Sequence, residues 1–140
     1  TRISFIRDAE KLRTVLGYIA TNEELRLLEA APDDSLSSFW RRFWSRRNPT
    51  PDTRRNPALV EFLRRVDYVS RNFGVLEPGW RSDMGRIYIK YGAPDQTERI
   101  VNDAYRPPTE IWYYYDRGVT YVFQDTDGFG RYRIAGTRRD

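Results

Sequence analysis

The chain is 140 residues long, 39% apolar and 15% aromatic, with 24 basic side chains against 20 acidic ones and a net charge of +4. It contains neither Cys nor His, which excludes disulfides, thiolate zinc sites, His-based triads and Cys nucleophiles, and leaves any catalysis to Asp, Glu, Tyr, Lys, Arg or Ser. No apolar run approaches the roughly 18 residues that a membrane span needs.

The first half reads as helices. Leu12, Val15, Leu16 and Ile19 recur at helical spacing over residues 8–20, with Gly17 as a weak point. Thr21 to Glu24 is a capping box opening a short helix through Leu25, Leu27 and Leu28 that ends near Pro32. The next helix starts at Asp34 or Ser35 and places Leu36, Phe39, Trp40, Phe43 and Trp44 on one face, with Arg41, Arg42, Arg46 and Arg47 on the other. Asn48-Pro49 stops it. After a proline-stiffened loop, Asn56 caps and Pro57 begins a helix that should bury Leu59, Phe62, Leu63, Val66, Val69 and Phe73, with Gly74 as its left-handed stop.

Past the linker VLEPGW the pattern is ambiguous. Ser82-Asp83 caps a helix with Met84, Ile87, Tyr88 and Tyr91 on one side and Gly92 and Pro94 as its end, yet Ile87, Ile89 and Tyr91 also alternate as a strand does. Cap and stop signals agree, so the helix is favoured. From Glu110 the period is two: EIWYYYD, a turn at Arg117-Gly118, VTYVFQD, a turn at Thr126-Asp127-Gly128, then FGRYRIA. This predicts a three-stranded antiparallel meander, with a fourth strand at Glu98–Val101 as an option. The fold class is therefore α+β, N-terminal helices packed on a C-terminal antiparallel sheet of three to four strands. A single domain over 1–140 is expected, with a helical half at 1–74 and the signature, short helix and meander at 75–140.

The string Gly79-Trp80-Arg81-Ser82-Asp83 resembles the signature of the GWxTD family, bacterial domains of unknown function. The segments FWRRFWSRRNPTPDT at 39–53, GRIYIKYGAPD at 85–95, EIWYYY at 110–115 and FQDTDGFGRY at 123–132 extend the likeness in the family's order. Ser82 stands where the family has Thr, and it keeps the hydroxyl. The resemblance implies an exported, periplasmic or secreted setting and no established activity. The sequence opens at Thr1 without a signal peptide, so it is expected to be a piece of a longer protein with its targeting segment upstream.

Each candidate feature has two readings. Gly79, Trp80, Ser82 and Asp83 fit a knot that locks helices to sheet, with a ligand site as the alternative. The meander carries aromatics on both faces, Ile111, Tyr113 and Tyr115 on one and Trp112 and Tyr114 on the other. One reading is a sheet packed by helices on one face and by aromatic pairs on the other. The alternative is an exposed surface of Trp112 and Tyr114, edged by Arg131 and Arg133, for a partner. Residues 40–71 hold nine Arg against three acids, a local excess of +6 within a chain whose residues 72–140 are neutral, with ten charges of each sign. Nucleic acid is disfavoured there, because the helix's aromatic side chains lie opposite its arginines. Asp125-Thr126-Asp127-Gly128 opens like a calcium loop but lacks the Glu of the twelfth position, so no metal or cofactor is expected. These features favour a non-catalytic binding or assembly module of a larger exported bacterial protein, its partner a protein or an envelope polymer. A carboxylate-based enzyme acting on a glycan is the alternative, since paired acids need neither His nor Cys. A nucleic-acid-binding domain comes third.

Overall fold

The computed structural model describes residues 8–139. Among them five helices precede a four-stranded antiparallel sheet, an α+β chain. The chain divides into two units, Thr1–Asp67 and Tyr68–Asp140.

In the first unit, α1 (Ala9–Gly17) buries Leu12, Val15 and Leu16, and the Asp8 carboxylate caps it by accepting from the Lys11 N–H at 3.1 Å. The expected capping box opens α2 (Asn22–Ala30), with the Thr21 hydroxyl accepting from the Glu24 N–H and the Glu24 carboxylate accepting from the Thr21 N–H. Arg13 joins the two helices, donating to the carbonyls of Leu28 and Ala31 and to the Asp33 carboxylate. A single 3₁₀ turn over Asp33–Ser35 leads into α3 (Leu36–Arg46), and Ser35 makes no side-chain cap there. Its apolar stripe is buried as the spacing predicts, and Trp44 packs on Phe62 with ring centres 4.9 Å apart. Arg41, Arg42 and Arg46 are exposed, but Arg47 departs from that face. Its guanidinium lies 3.7 Å from the Phe43 ring centre and donates twice to Glu24, at 2.6 and 2.7 Å. A planar cation of this kind satisfies a half-buried carboxylate better than water does.

Helix α4 (Pro57–Asn72) begins at the expected cap, where the Asn56 side chain accepts from the Leu59 N–H. Gly74 is not the left-handed stop; the positive φ falls two residues later, at Leu76, with φ 66. A Cβ on Gly74 would meet the Gly79 nitrogen at 3.4 Å, close to an ordinary contact.

In the second unit the ambiguous segment is helical: α5 spans Asp83–Tyr91 and ends at Gly92, whose φ of 84 suits only glycine. The sheet follows as β1 (Gln96–Ile100), β2 (Thr109–Tyr114), β3 (Val119–Gln124) and β4 (Arg133–Arg139), each strand beside its neighbour in sequence. Trp112 pairs with Tyr121 and Tyr114 with Val119, so these four share a face, joined by Glu110 and Phe123. That face is the covered one. Phe73 and Tyr88 pack on Trp112, and Tyr91 packs on both Tyr114 and Tyr121. Trp112 and Tyr114 are 2% and 5% exposed, so the surface expected of them does not exist. The aromatic side chains left outside are Tyr113 and Tyr115 of the opposite face, stacked on each other.

Candidate functional site

The signature residues sit where three backbone segments touch. A Cβ on Gly79 would lie 1.9 Å from the Val69 carbonyl oxygen, and one on Gly85 would lie 1.9 Å from the Gly79 carbonyl oxygen. Only hydrogen fits at either position. The Gly79 carbonyl accepts from the Ser82 hydroxyl at 2.7 Å, and the Ser82 oxygen accepts in turn from the Gly85 N–H at 3.0 Å, capping α5. Asp83 reaches across to β4, where its carboxylate accepts from the Ile134 N–H at 2.9 Å. Its separation of 3.9 Å from Arg86 makes that pair a weak one. Trp80 is buried, with the Arg81 guanidinium 4.9 Å from its ring. Each polar group here holds backbone to backbone.

The far end of α5 presents a different chemistry. Arg86, Lys90 and Tyr91 of the helix, with Tyr121 of β3 and Thr137 and Arg139 of β4, line an open cleft of about 650 Å³. The Arg117 guanidinium stands 4.6 Å from the Tyr91 ring centre and Lys90 Nζ 5.3 Å from it. No carboxylate lines this cleft, and among the described residues Lys90, Arg117 and Arg139 have no ion-pair partner. The two phenol rings stack with centres 6.1 Å apart. Burial pushes the Tyr91 phenol up, but the neighbouring Tyr121 hydroxyl and the charges of Lys90 and Arg117 outweigh it, and its pKa falls below the ordinary value. Burial and then the neighbouring Tyr91 hydroxyl push Tyr121 up to about 12.

A third feature is a groove of about 450 Å³ edged by Tyr68, Asn72, Phe73, Thr97, Arg99 and Glu110. Its single carboxylate, Glu110, accepts from the Trp112 indole N–H at 2.7 Å and pairs with Arg99 at 3.1 Å.

A family model for the GWxTD domain matches residues 3–131. The chain belongs to the GWxTD domain family. No curated protein and no solved structure matches it. The GWxTD signature, Gly79 to Asp83, coincides with the backbone knot, while the cationic cleft draws on residues beyond it. Of the expected partner surface, Trp112 and Tyr114 lie under the helices. Arg131 is half-buried near Glu77 and Asp127, and Arg133 is paired in register with Gln124. The four are not brought together. Asp125 is buried, and its two oxygens accept from the N–H groups of Gly128 and Gly130. That fixes a turn, and among the described residues no group of acids is placed to hold a metal ion. Sequence reasoning missed the cleft, because no local signal says that the end of α5 meets the last residues of β4. No helix among the described residues is long and apolar enough to cross a membrane.

Proposed function

We propose that this GWxTD domain is a non-catalytic binding module of a larger exported bacterial protein, and that it takes an acidic segment of a partner protein in the cleft at the end of α5. The observation that carries this reading is where the charges lie. Four carboxylates of the second unit are engaged in holding the fold: Asp83 on Ile134, Asp95 on the Tyr115 N–H, Glu110 on Trp112, and Asp125 on two glycine N–H groups. Arg86, Lys90 and Arg139 line one concavity that has no acid among its lining residues, and Arg117 stands over the Tyr91 ring beside it. Among the described residues only Arg86 of the four has a carboxylate within 4 Å, Asp83 at 3.9 Å. Such an arrangement attracts negative charge and steers its approach.

The glycan-enzyme reading needs two carboxylates about 5–10 Å apart in one concave site. The groove at Glu110 offers one, already bonded to Trp112 and Arg99. In the first unit Glu23 and Glu24 line a common cleft, but Arg47 and Arg46 hold Glu24 ionised, with its pKa lowered to about 2. That suits neither an acid nor a base near neutral pH.

The test uses an immobilised Asp- and Glu-rich peptide and the double charge reversal Lys90→Glu, Arg139→Glu. The wild-type chain should bind the peptide with a steep salt dependence, and the variant should lose it while keeping its circular-dichroism spectrum and melting temperature. Undiminished capture by the variant would remove the cleft from consideration. Tighter capture of DNA or of an anionic polysaccharide than of the peptide would replace the partner class. Release of reducing sugar from an envelope glycan would overturn the non-catalytic reading.

A further inference from the structure

We infer that the Tyr91–Tyr121 pair is the floor of an oxyanion-binding site, in which the Tyr91 hydroxyl and the cations Arg86, Lys90 and Arg139 together hold one carboxylate or phosphate group. This rests on the cleft proposed above and names the chemistry at its inner end. A phenol has one proton to donate and two lone pairs to accept with. The Tyr91 side chain lines the cleft, and among the described residues no acceptor takes its hydroxyl proton. That proton is the free donor of a wall otherwise built of Arg86, Lys90 and Arg139. A hydroxyl made more acidic by its neighbours is a stronger donor to an anion, and the bond it forms is charge-assisted. Arg117 is stacked on the Tyr91 ring, and Tyr114 and Tyr121 pack against it, which fixes the direction of the hydroxyl. Asp83, one turn before Arg86, accepts from the Ile134 N–H through one carboxylate oxygen and leaves the other 3.9 Å from Arg86. An anion entering the cleft therefore meets Lys90, Arg139 and Tyr91 with no acid among the lining residues. Of the site's cations only Arg86 has a carboxylate within 4 Å among the described residues.

The experiment is a titration of the 140-residue chain with inorganic phosphate and, separately, with acetate, followed by amide chemical shifts. Saturable shifts grouped at residues 86–92, 117–121 and 137–139 are expected for at least one anion, and which anion saturates first assigns phosphate or carboxylate as the source. Tyr91→Phe keeps the ring and should weaken the site about tenfold or more. Lys90→Glu should abolish it, and Tyr113→Phe, on the opposite face, should leave it unchanged. Shifts that do not saturate with either anion, or that Lys90→Glu leaves unaltered, overturn the oxyanion site. If the acidic peptide still binds through Lys90 and Arg139 in that case, the peptide-binding module stands without it. If neither anion nor peptide binds, both readings fall.

Discussion

A methyl group at Gly79 or Gly85 would stand 1.9 Å from a carbonyl oxygen that belongs to backbone and cannot turn aside. Gly79→Ala and Gly85→Ala should each cost about 3 kcal/mol or more by overpacking, measured by urea unfolding. Gly136→Ala, with open space around its added carbon, should be close to neutral in the same assay. Sequence reasoning placed Gly79 in a structural knot but gave no role to Gly85, because a glycine inside a helical pattern carries no mark of what crosses it. Glu24 offers a pH test. The Arg47 hydrogen bonds lower its pKa from 4.5 to about 2 against the opposing effect of burial. The stabilisation is therefore full above pH 4.5 and is lost as pH falls from there through 2, on the order of 2–3 kcal/mol in all. Glu24→Gln retains the shape of the capping box, so its deficit in stability at pH 7 should close by pH 2. Trp112→Ala, at a site 2% exposed under Phe73 and Tyr88, should cost about 3–5 kcal/mol. A surface platform would have tolerated the change.

Helix α5 shows how one cap decides an ambiguous element. Its sequence alternates well enough for a strand, yet the Ser82 hydroxyl on the Gly85 N–H and the positive φ of Gly92 bound a helix of nine residues. Ser82→Ala removes both that cap and the bond to the Gly79 carbonyl, and should cost about 1–2 kcal/mol. Ser82→Thr, the family's residue, should retain the cap, as thermal melts of the two variants would show. Strands β2 and β3 were legible from their period of two, with Trp112 and Tyr114 sharing a face as read. The optional strand at Glu98–Val101 instead runs Gln96–Ile100, the strand read at FGRYRIA begins only at Arg133, and Tyr115 falls in a 3₁₀ turn. Which face the helices cover was not legible. Both faces carry aromatic residues, so hydropathy alternation gives no contrast, and only the packing of Tyr88 and Tyr91 on Trp112 and Tyr114 decides it. The stop after α4 was misread because a glycine at a helix end need not take a left-handed φ: here the positive φ falls at Leu76.

Across the whole molecule, counting charges along the chain hid what folding does with them. Residues 72–140 are neutral in sum, yet the fold directs several acids onto backbone N–H groups and gathers Arg86, Lys90, Arg117 and Arg139 around one cleft. Sequence distance cannot reveal such a separation, since these four residues come from α5, the turn before β3 and the end of β4. The sheet itself has two open sides. Residues 96–99 of β1 are exposed, while Tyr121 and Phe123 of β3 are buried. Amide hydrogen exchange should therefore be slowest in β2 and β3 and fast in β1. The order β1-β2-β3-β4 also bears on kinetics. Every strand pairs with its neighbour in sequence, so the sheet can zip from short loops, and little chain entropy is lost before contacts form. The bond from the Ile134 N–H to Asp83 closes a separation of 51 residues and is among the last that such a route would make. Asp83→Ala should accordingly quicken unfolding in stopped-flow experiments and leave the refolding rate nearly unchanged, the signature of an interaction formed after the transition state.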